Sequence, residues 1–382
     1  MIPYGRQSID DSDIAAVVDV LRSDWLTQGP GVERFERAVA DYCQASCAVA
    51  VSNATAALHL ACLALGLGPG KLLWTSPNTF LASANCARYC GADVDFVDVD
   101  PRSYCMSIER LEDKLIEARR IGRLPDVVMP VDFAGQCVEL SRIRDLAGEY
   151  GFKVLEDAAH AVGATYRGGM VGDGRYADIT VFSFHPVKII TSGEGGIALT
   201  GDQELARRLS VLRNHGMVRD MQHLQRPTDG PWYYEQQALG FNYRITDLQC
   251  ALGVSQMQRI GDFLARRRAL AKRYDRLLGN SGVTIPWQSP EGQSAFHLYP
   301  ILVPEAAERR RIFEGLHAAG IGVQVHYIPV HQQPYYNALG FRRGQFPEAE
   351  RYYSRTISLP CYPDLKESEQ DFVVETLVNL IH

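Results

Sequence analysis

Between residues 48 and 200 the chain alternates short, β-branched apolar runs with longer amphipathic ones. The runs Ala48–Val51, Lys71–Thr75, Val94–Val97, Val127–Pro130, Lys153–Glu156, Ile179–Phe184 and Gly196–Leu199 predict seven strands. Between most of them, Thr55–Leu65, Phe80–Tyr89, Ser107–Ala118 and Glu139–Tyr150 repeat their apolar positions at helical spacing. Strands that alternate with helices predict an α/β architecture, a mainly parallel sheet covered by helices on both faces. In such sheets ligands bind beyond the carboxyl ends of the strands.

Residues 244–278 read as one long helical passage, and its basic triplet Arg266-Arg267-Arg268 as a solvated helix face. After Gly282 the character changes. His297–Val303, Val323–Ile328 and Thr356–Leu359 predict strands, and Ala306–Ala319 and Glu367–Ile381 predict helices. The expected division is a large domain over 26–250, then a linking helix and a smaller α+β domain over 251–382. Residues 1–25 are expected to pack on the small domain.

Composition narrows the partners more than the fold. With 46% hydrophobic and 22% charged residues the chain is of ordinary globular type. A net charge of −6 gives no electrostatic reason to expect nucleic acid or an anionic membrane as partner. The nine cysteines are scattered, with no Cys-x-x-Cys pair and no histidine cluster to complete a metal site. They read as reduced thiols, and with no apolar signal core or membrane-length run the expected location is cytoplasmic.

The chemistry gathers at strand ends. Asp157 closes the run Val154-Leu155-Glu156, and Lys188 lies in Ser183-Phe184-His185-Pro186-Val187-Lys188. A lysine amine to bond an aldehyde, a carboxylate to keep a pyridine nitrogen protonated and a serine to bind phosphate are what a pyridoxal phosphate site needs. Ser52-Asn53-Ala54-Thr55-Ala56 joins a strand to a helix start, where free N–H groups and the helix dipole favour an anion. The Thr55 hydroxyl, the Ala56 N–H and the Ser183 hydroxyl together suit a phosphate, although Asn53 or Thr55 alone reads as a helix cap. Phe80 can stack on a pyridine ring, and His160 can contact the ring or its oxygen. The glycines after Lys188, Gly193-Glu194-Gly195-Gly196, imply close backbone packing and are no dinucleotide fingerprint.

Six ordered runs, Ser52–Ala57, Thr75–Phe80, Glu156–His160, Phe182–Gly196, Arg213–Gly216 and Gly240–Arg244, resemble the sugar-nucleotide aminotransferases among the fold type I pyridoxal phosphate enzymes. The resemblance extends over nearly the whole chain. It implies that Lys188 bonds the cofactor and Asp157 meets the pyridinium. It further implies that Thr55, Ala56 and Ser183 hold the phosphate, that Phe80 stacks and that His160 lies at the ring. It also implies that Asn242 reaches the cofactor phosphate of a neighbouring subunit, in a homodimer with shared sites. Some members carry histidine at the lysine position and act as dehydratases; the lysine here implies transamination.

Within that family, Trp25–Pro30, Val131–Gln136 and Gln324–His331 resemble the branch serving pseudaminic acid synthesis. That branch moves the amino group of L-glutamate to C4 of a UDP-linked 4-keto-6-deoxy-N-acetylhexosamine and leaves 2-oxoglutarate. The implied substrate contacts are Tyr4, Trp25, Leu26, Thr27, Ala54, Ser183, Asn242, Gln324, His326 and Tyr327. Tyr4 and Trp25 read equally as subunit packing. Open alternatives are a transaminase for a UDP-4-ketopentose or a dTDP-4-keto-6-deoxyhexose, a lyase on the same fold, and a non-catalytic cofactor-binding regulator.

Overall fold

A computed structural model describes all 382 residues. Its main sheet comprises β1 (Cys47–Val51), β2 (Leu72–Thr75), β3 (Asp93–Phe96), β4 (Val127–Met129), β5 (Lys153–Asp157), β6 (Ile179–Ser183) and β7 (Gly196–Thr200). The order across the sheet is β1-β7-β6-β5-β4-β2-β3. Only β7 runs antiparallel to its neighbours; every other pairing is parallel. All seven expected strands are present to within one residue at either end. Central strands such as β2, β6 and β7 are buried at every position, which is why they appear as continuous apolar blocks.

The helix Ala54–Ala64 crosses β6 and β7 and buries Ala56, Ala57, Leu58, Leu60 and Ala61. Its small residues let it lie close to the sheet, so its N-terminus opens at the strand ends. The long helical passage is two helices, Asp247–Gln258 and Ile260–Leu278, broken at Arg259, whose φ/ψ of −108/4 leaves the helical region. The basic triplet is not a solvated face. Arg267 is 1% exposed and its guanidinium donates to the carbonyls of Phe296, His297 and Cys361. Arg266 and Arg268 likewise reach carbonyls of Leu365 and of Ser294 and Gly163. Arginine's fan of donors serves loop carbonyls that have no ladder partner.

Beyond these helices, Tyr299–Leu302 and Thr356–Leu359 pair antiparallel. The strand expected at Val323–Ile328 does not form; only Gln324 bridges to Ser358. The segment leaves that sheet to join the first one's loops, where the Tyr327 N–H meets Asn78 Oδ1 at 3.4 Å and the Val330 N–H meets the Pro77 carbonyl at 2.9 Å. At the other end of the chain, Ile2 bridges to Ile321, and Cys361 N–H donates to the Tyr4 carbonyl at 3.1 Å. The helix Asp11–Leu21 then lies on Asp247–Gln258, tied by buried Asp13 to Arg259 and, at 2.7 Å, to Gln256. No helix is long and apolar enough to cross a membrane.

Candidate active site

A cavity of about 740 Å³ opens beyond the ends of β1, β5 and β6. Its walls bring together Ala54, Thr55, Ala56, Phe80, Asp157, His160, Ser183 and Lys188, with Tyr4, His326 and Tyr327 closing the side nearer the second sheet. Residues scattered over most of the sequence therefore share one enclosure.

At the helix start, Asn53 is the N-cap, and its side-chain oxygen accepts the Ala56 N–H at 2.9 Å. The cap and the anion site thus divide the donors. Ala56 is committed to the cap, whereas Ala54 and Thr55 N–H have no partner in the chain. The Thr55 and Ser183 hydroxyls also line the cavity. Gly196 seats this turn from behind: a Cβ there would lie 2.4 Å from the Asn53 carbonyl carbon and 2.5 Å from Ala54 N. Any side chain at 196 would push the turn away from the strand, so the close backbone packing expected of the glycine run is present at Gly196.

Lys188 follows β6 in a loop that closes on itself, with Ser192 N–H on the Phe184 carbonyl at 3.0 Å. Enclosure of its amine pushes the Lys188 pKa down to about 8, against the opposing charge of Asp157. A useful fraction is then unprotonated near neutral pH, as a nucleophile and base requires. Burial raises the Asp157 pKa, while bonds from Ser83 and Ala159 N–H and the Lys188 charge pull it back. Ser83 Oγ lies 2.6 Å from Asp157 Oδ2 and 2.6 Å from Thr79 Oγ1. With Asp157 ionised, Ser83 must donate to it and accept from Thr79. Nothing in the sequence marked Ser83; it is found only once the helix Ala82–Tyr89 is docked on the strand end.

Side-chain alternation sends Glu156 to the other face of β5, as expected. There it meets Asp132. Both are essentially unexposed, with carboxylate oxygens within 4.8 Å of each other; Glu156 Oε2 accepts Thr180 Oγ1 at 2.6 Å, and Asp132 Oδ1 accepts Val138 N–H at 3.0 Å. The remaining oxygens, Asp132 Oδ2 and Glu156 Oε1, are buried with no hydrogen-bond partner, so ionising both carboxyls together is disfavoured. Burial first, and neighbouring acidic groups with it, raise both above the carboxylate range. The folded protein therefore keeps a proton that the unfolded chain has lost, and stability falls as pH rises from the carboxylate range toward neutrality, by up to about 1.4 kcal/mol per unit. Asp132→Asn, which supplies a permanent N–H, is expected to flatten this fall. Urea unfolding of both proteins between about pH 5 and 7 checks it; parallel profiles would contradict the retained proton.

Not every expected residue reaches the cavity. Trp25, Leu26, Thr27, Asn242 and Gln324 do not line it. Trp25 is 54% exposed and borders a separate hollow with Asp247 and Arg34. Thr27 bridges to Thr246 and Asn242 to Asn214. Phe80 does line it, 58% exposed and 6.2 Å from the Tyr327 ring. Tyr243, beside Asn242, enters the cavity wall unexpectedly, its carbonyl fixed by Ser52 N–H at 2.8 Å.

Pyridoxal phosphate fits this arrangement. The free N–H groups and hydroxyls suit a dianion, Asp157 suits a pyridinium, and Lys188 suits an aldehyde.

Comparison with known proteins agrees along the whole chain. The protein is 38% identical over 386 aligned residues to the spore coat polysaccharide biosynthesis protein SpsC of Bacillus subtilis, covering 100% of this chain and 97% of that one. It is 36% identical to a UDP-4-amino-4,6-dideoxy-N-acetyl-beta-L-altrosamine transaminase of Campylobacter jejuni, with 100% and 98% covered. Its structure superposes on the PMP form of the putative sugar aminotransferase Spr1654 from Streptococcus pneumoniae with a TM-score of 0.91, at 30% identity and 100% and 99% coverage. Residues 7–378 match the DegT/DnrJ/EryC1/StrS aminotransferase family, and the chain belongs to that family.

Proposed function

We propose that this protein is a pyridoxal phosphate-dependent transaminase that moves the amino group of L-glutamate to C4 of a UDP-linked 4-keto-6-deoxy-N-acetylhexosamine, as in pseudaminic acid synthesis. The observation that carries the reading is the enclosure of the Lys188 amine with Asp157 and the open helix N-terminus in one cavity. The similarity to the Campylobacter jejuni transaminase supports the choice of acceptor.

When bound, pyridoxal phosphate supplies an aldehyde for amines and a ring that takes up electrons as a proton leaves the amine-bearing carbon. Lys188 is the residue that would hold the aldehyde carbon. Its amine would also be the base that takes the proton from glutamate Cα and the acid that delivers one to C4 of the sugar. Asp157, oriented by Ser83 and Ala159 N–H, would keep a proton on the ring nitrogen. Thr55, Ser183 and the N–H groups of Ala54 and Thr55 anchor the phosphate, and Phe80 covers the ring against water.

The cavity contains no arginine. A diphosphate and the two carboxylates of glutamate meet only Lys188 and imidazoles within one subunit, and Asn242 lies outside this cavity, which supports a homodimer whose second subunit completes the site with Asn242. Incubating the protein with glutamate and a panel of UDP- and dTDP-linked 4-ketosugars tests the assignment. The expected product is the 4-amino derivative of the UDP-N-acetylhexosamine, with one 2-oxoglutarate per amine formed. Turnover of only a ketopentose or a dTDP sugar would overturn the acceptor.

A further inference from the structure

Three thiols gather where the helices Ala54–Ala64 and Ala82–Tyr89 pack together. Cys62 and Cys86 are fully buried in one apolar cluster. Cys90, which ends the second helix, packs against that cluster and is only partly buried. Its Sγ lies 3.9 Å from the His59 carbonyl oxygen on the facing helix and 3.2 Å from the Cys86 carbonyl oxygen on its own. A helical side chain leans back over the turn before it, so Cys62, three residues after His59, lies over that same carbonyl. Cys62 and Cys90 therefore approach one point from the two helices.

Cys86 is the poorer partner for Cys90. Its Sγ donates to the Ser83 carbonyl at 3.3 Å. Residues four apart on one helix hold their Cβ atoms about 5–6 Å apart, whereas a disulfide needs about 3.5–4.5 Å. The two remaining thiols also differ in acidity. The Cys62 thiol beside it, and then the His59 ring, draw the Cys90 pKa below the ordinary thiol range, while burial holds Cys62 well above it. The partly exposed thiol is thus the more readily ionised one, and the thiolate is the form that attacks.

We propose that Cys90 and Cys62 are an oxidisable pair, a modification site that reacts with a small-molecule disulfide of the glutathione class and ends as a Cys62–Cys90 bridge. The Cys90 thiolate attacks one sulfur of the small disulfide, forms a mixed disulfide and releases one thiolate. Cys62 then gives up its proton, attacks the Cys90 Sγ and displaces the second thiolate. The two protein thiols lose two electrons and two protons in all, and the small disulfide becomes two thiols. The bridge ties the helix that opens at the Thr55 turn to the helix whose Ser83 holds Asp157. It also closes residues 62–90 into a loop in the unfolded chain, so oxidation is expected to raise the melting temperature by roughly 4 °C.

The test treats the cofactor-loaded protein with oxidised glutathione, alkylates the thiols that remain and maps the linked peptides by mass spectrometry. The expected product is one peptide pair joining Cys62 to Cys90, lighter by two hydrogens than the separate peptides. It should appear with the raised melting temperature, and dithiothreitol should reverse both. Cys62→Ala is expected to stop at a glutathione adduct on Cys90, whereas Cys86→Ala should still form the bridge. A glutathione adduct that persists on wild-type Cys90, a bridge to Cys86, or Cys62 and Cys90 both left free would overturn the proposal. The decisive measurement is made on the wild type, so a variant that fails to fold does not remove it, and it holds whichever sugar is aminated.

Discussion

Lys188→Ala is expected to lower the rate of both half-reactions by at least about 10⁴-fold, since one group serves as nucleophile and proton carrier. The protein should remain folded: Lys188 makes no side-chain hydrogen bond, and its loop is closed by backbone contacts between Phe184, Ser192 and Gly195. Two measurements separate its roles. The visible band of the holoenzyme should vanish, because nothing holds the aldehyde carbon. Single turnover from glutamate, followed as 2-oxoglutarate release, should stay slow even when cofactor is added in excess. A rate within about tenfold of the wild type would remove Lys188 from the proton transfer.

Asp157→Asn should separate charge from shape. The amide is nearly the size of the carboxylate and can still meet the ring nitrogen, but it does not keep a proton there. Losing one partner of an enclosed charged hydrogen bond costs about 2–5 kcal/mol, which is roughly 30- to 5,000-fold in rate. The loss is expected in kcat for both half-reactions, with the KM values for glutamate and sugar changed far less. If KM rose while kcat held, Asp157 would be a binding residue and not the support of the ring's electron uptake. Ser83, which donates to Asp157 at 2.6 Å, would be expected to give a milder version of the same kcat effect when replaced by alanine.

The large sheet was legible because its strands are buried on both faces, so each is a compact apolar block bounded by polar turns. Several helices escaped notice. Asp11–Leu21 carries a capping box at Asp10 and Asp13, a usable signal, but Asp13 and Val20 are its only buried positions, so no apolar stripe marks it. The run at Val323–Ile328 has the composition of a strand, yet Tyr327 and Val330 spend their backbone N–H groups on Asn78 and Pro77. Arg267 looked like solvated charge because a helix surface and a domain junction place arginines at the same spacing. Only the neighbouring carbonyls distinguish them.

For the site, the sequence by itself determined which chemical groups are present and the strand ends from which they come. Asp157, Ser183 and Lys188 follow β-branched runs, and Thr55 follows a strand into a helix, so local pattern was enough. Tertiary structure decided their partners. The Asn53 cap claims the Ala56 N–H, Ser83 reaches Asp157 from a docked helix, Glu156 is buried beside Asp132, and His160 meets Tyr327, 167 residues further along the chain. The physical reason is that strand and helix periods act over a few residues, whereas hydrogen-bond partners and burial are set by contacts between segments far apart in the chain. Those contacts also set the acidity of Lys188, which no neighbouring residue in the sequence could have set.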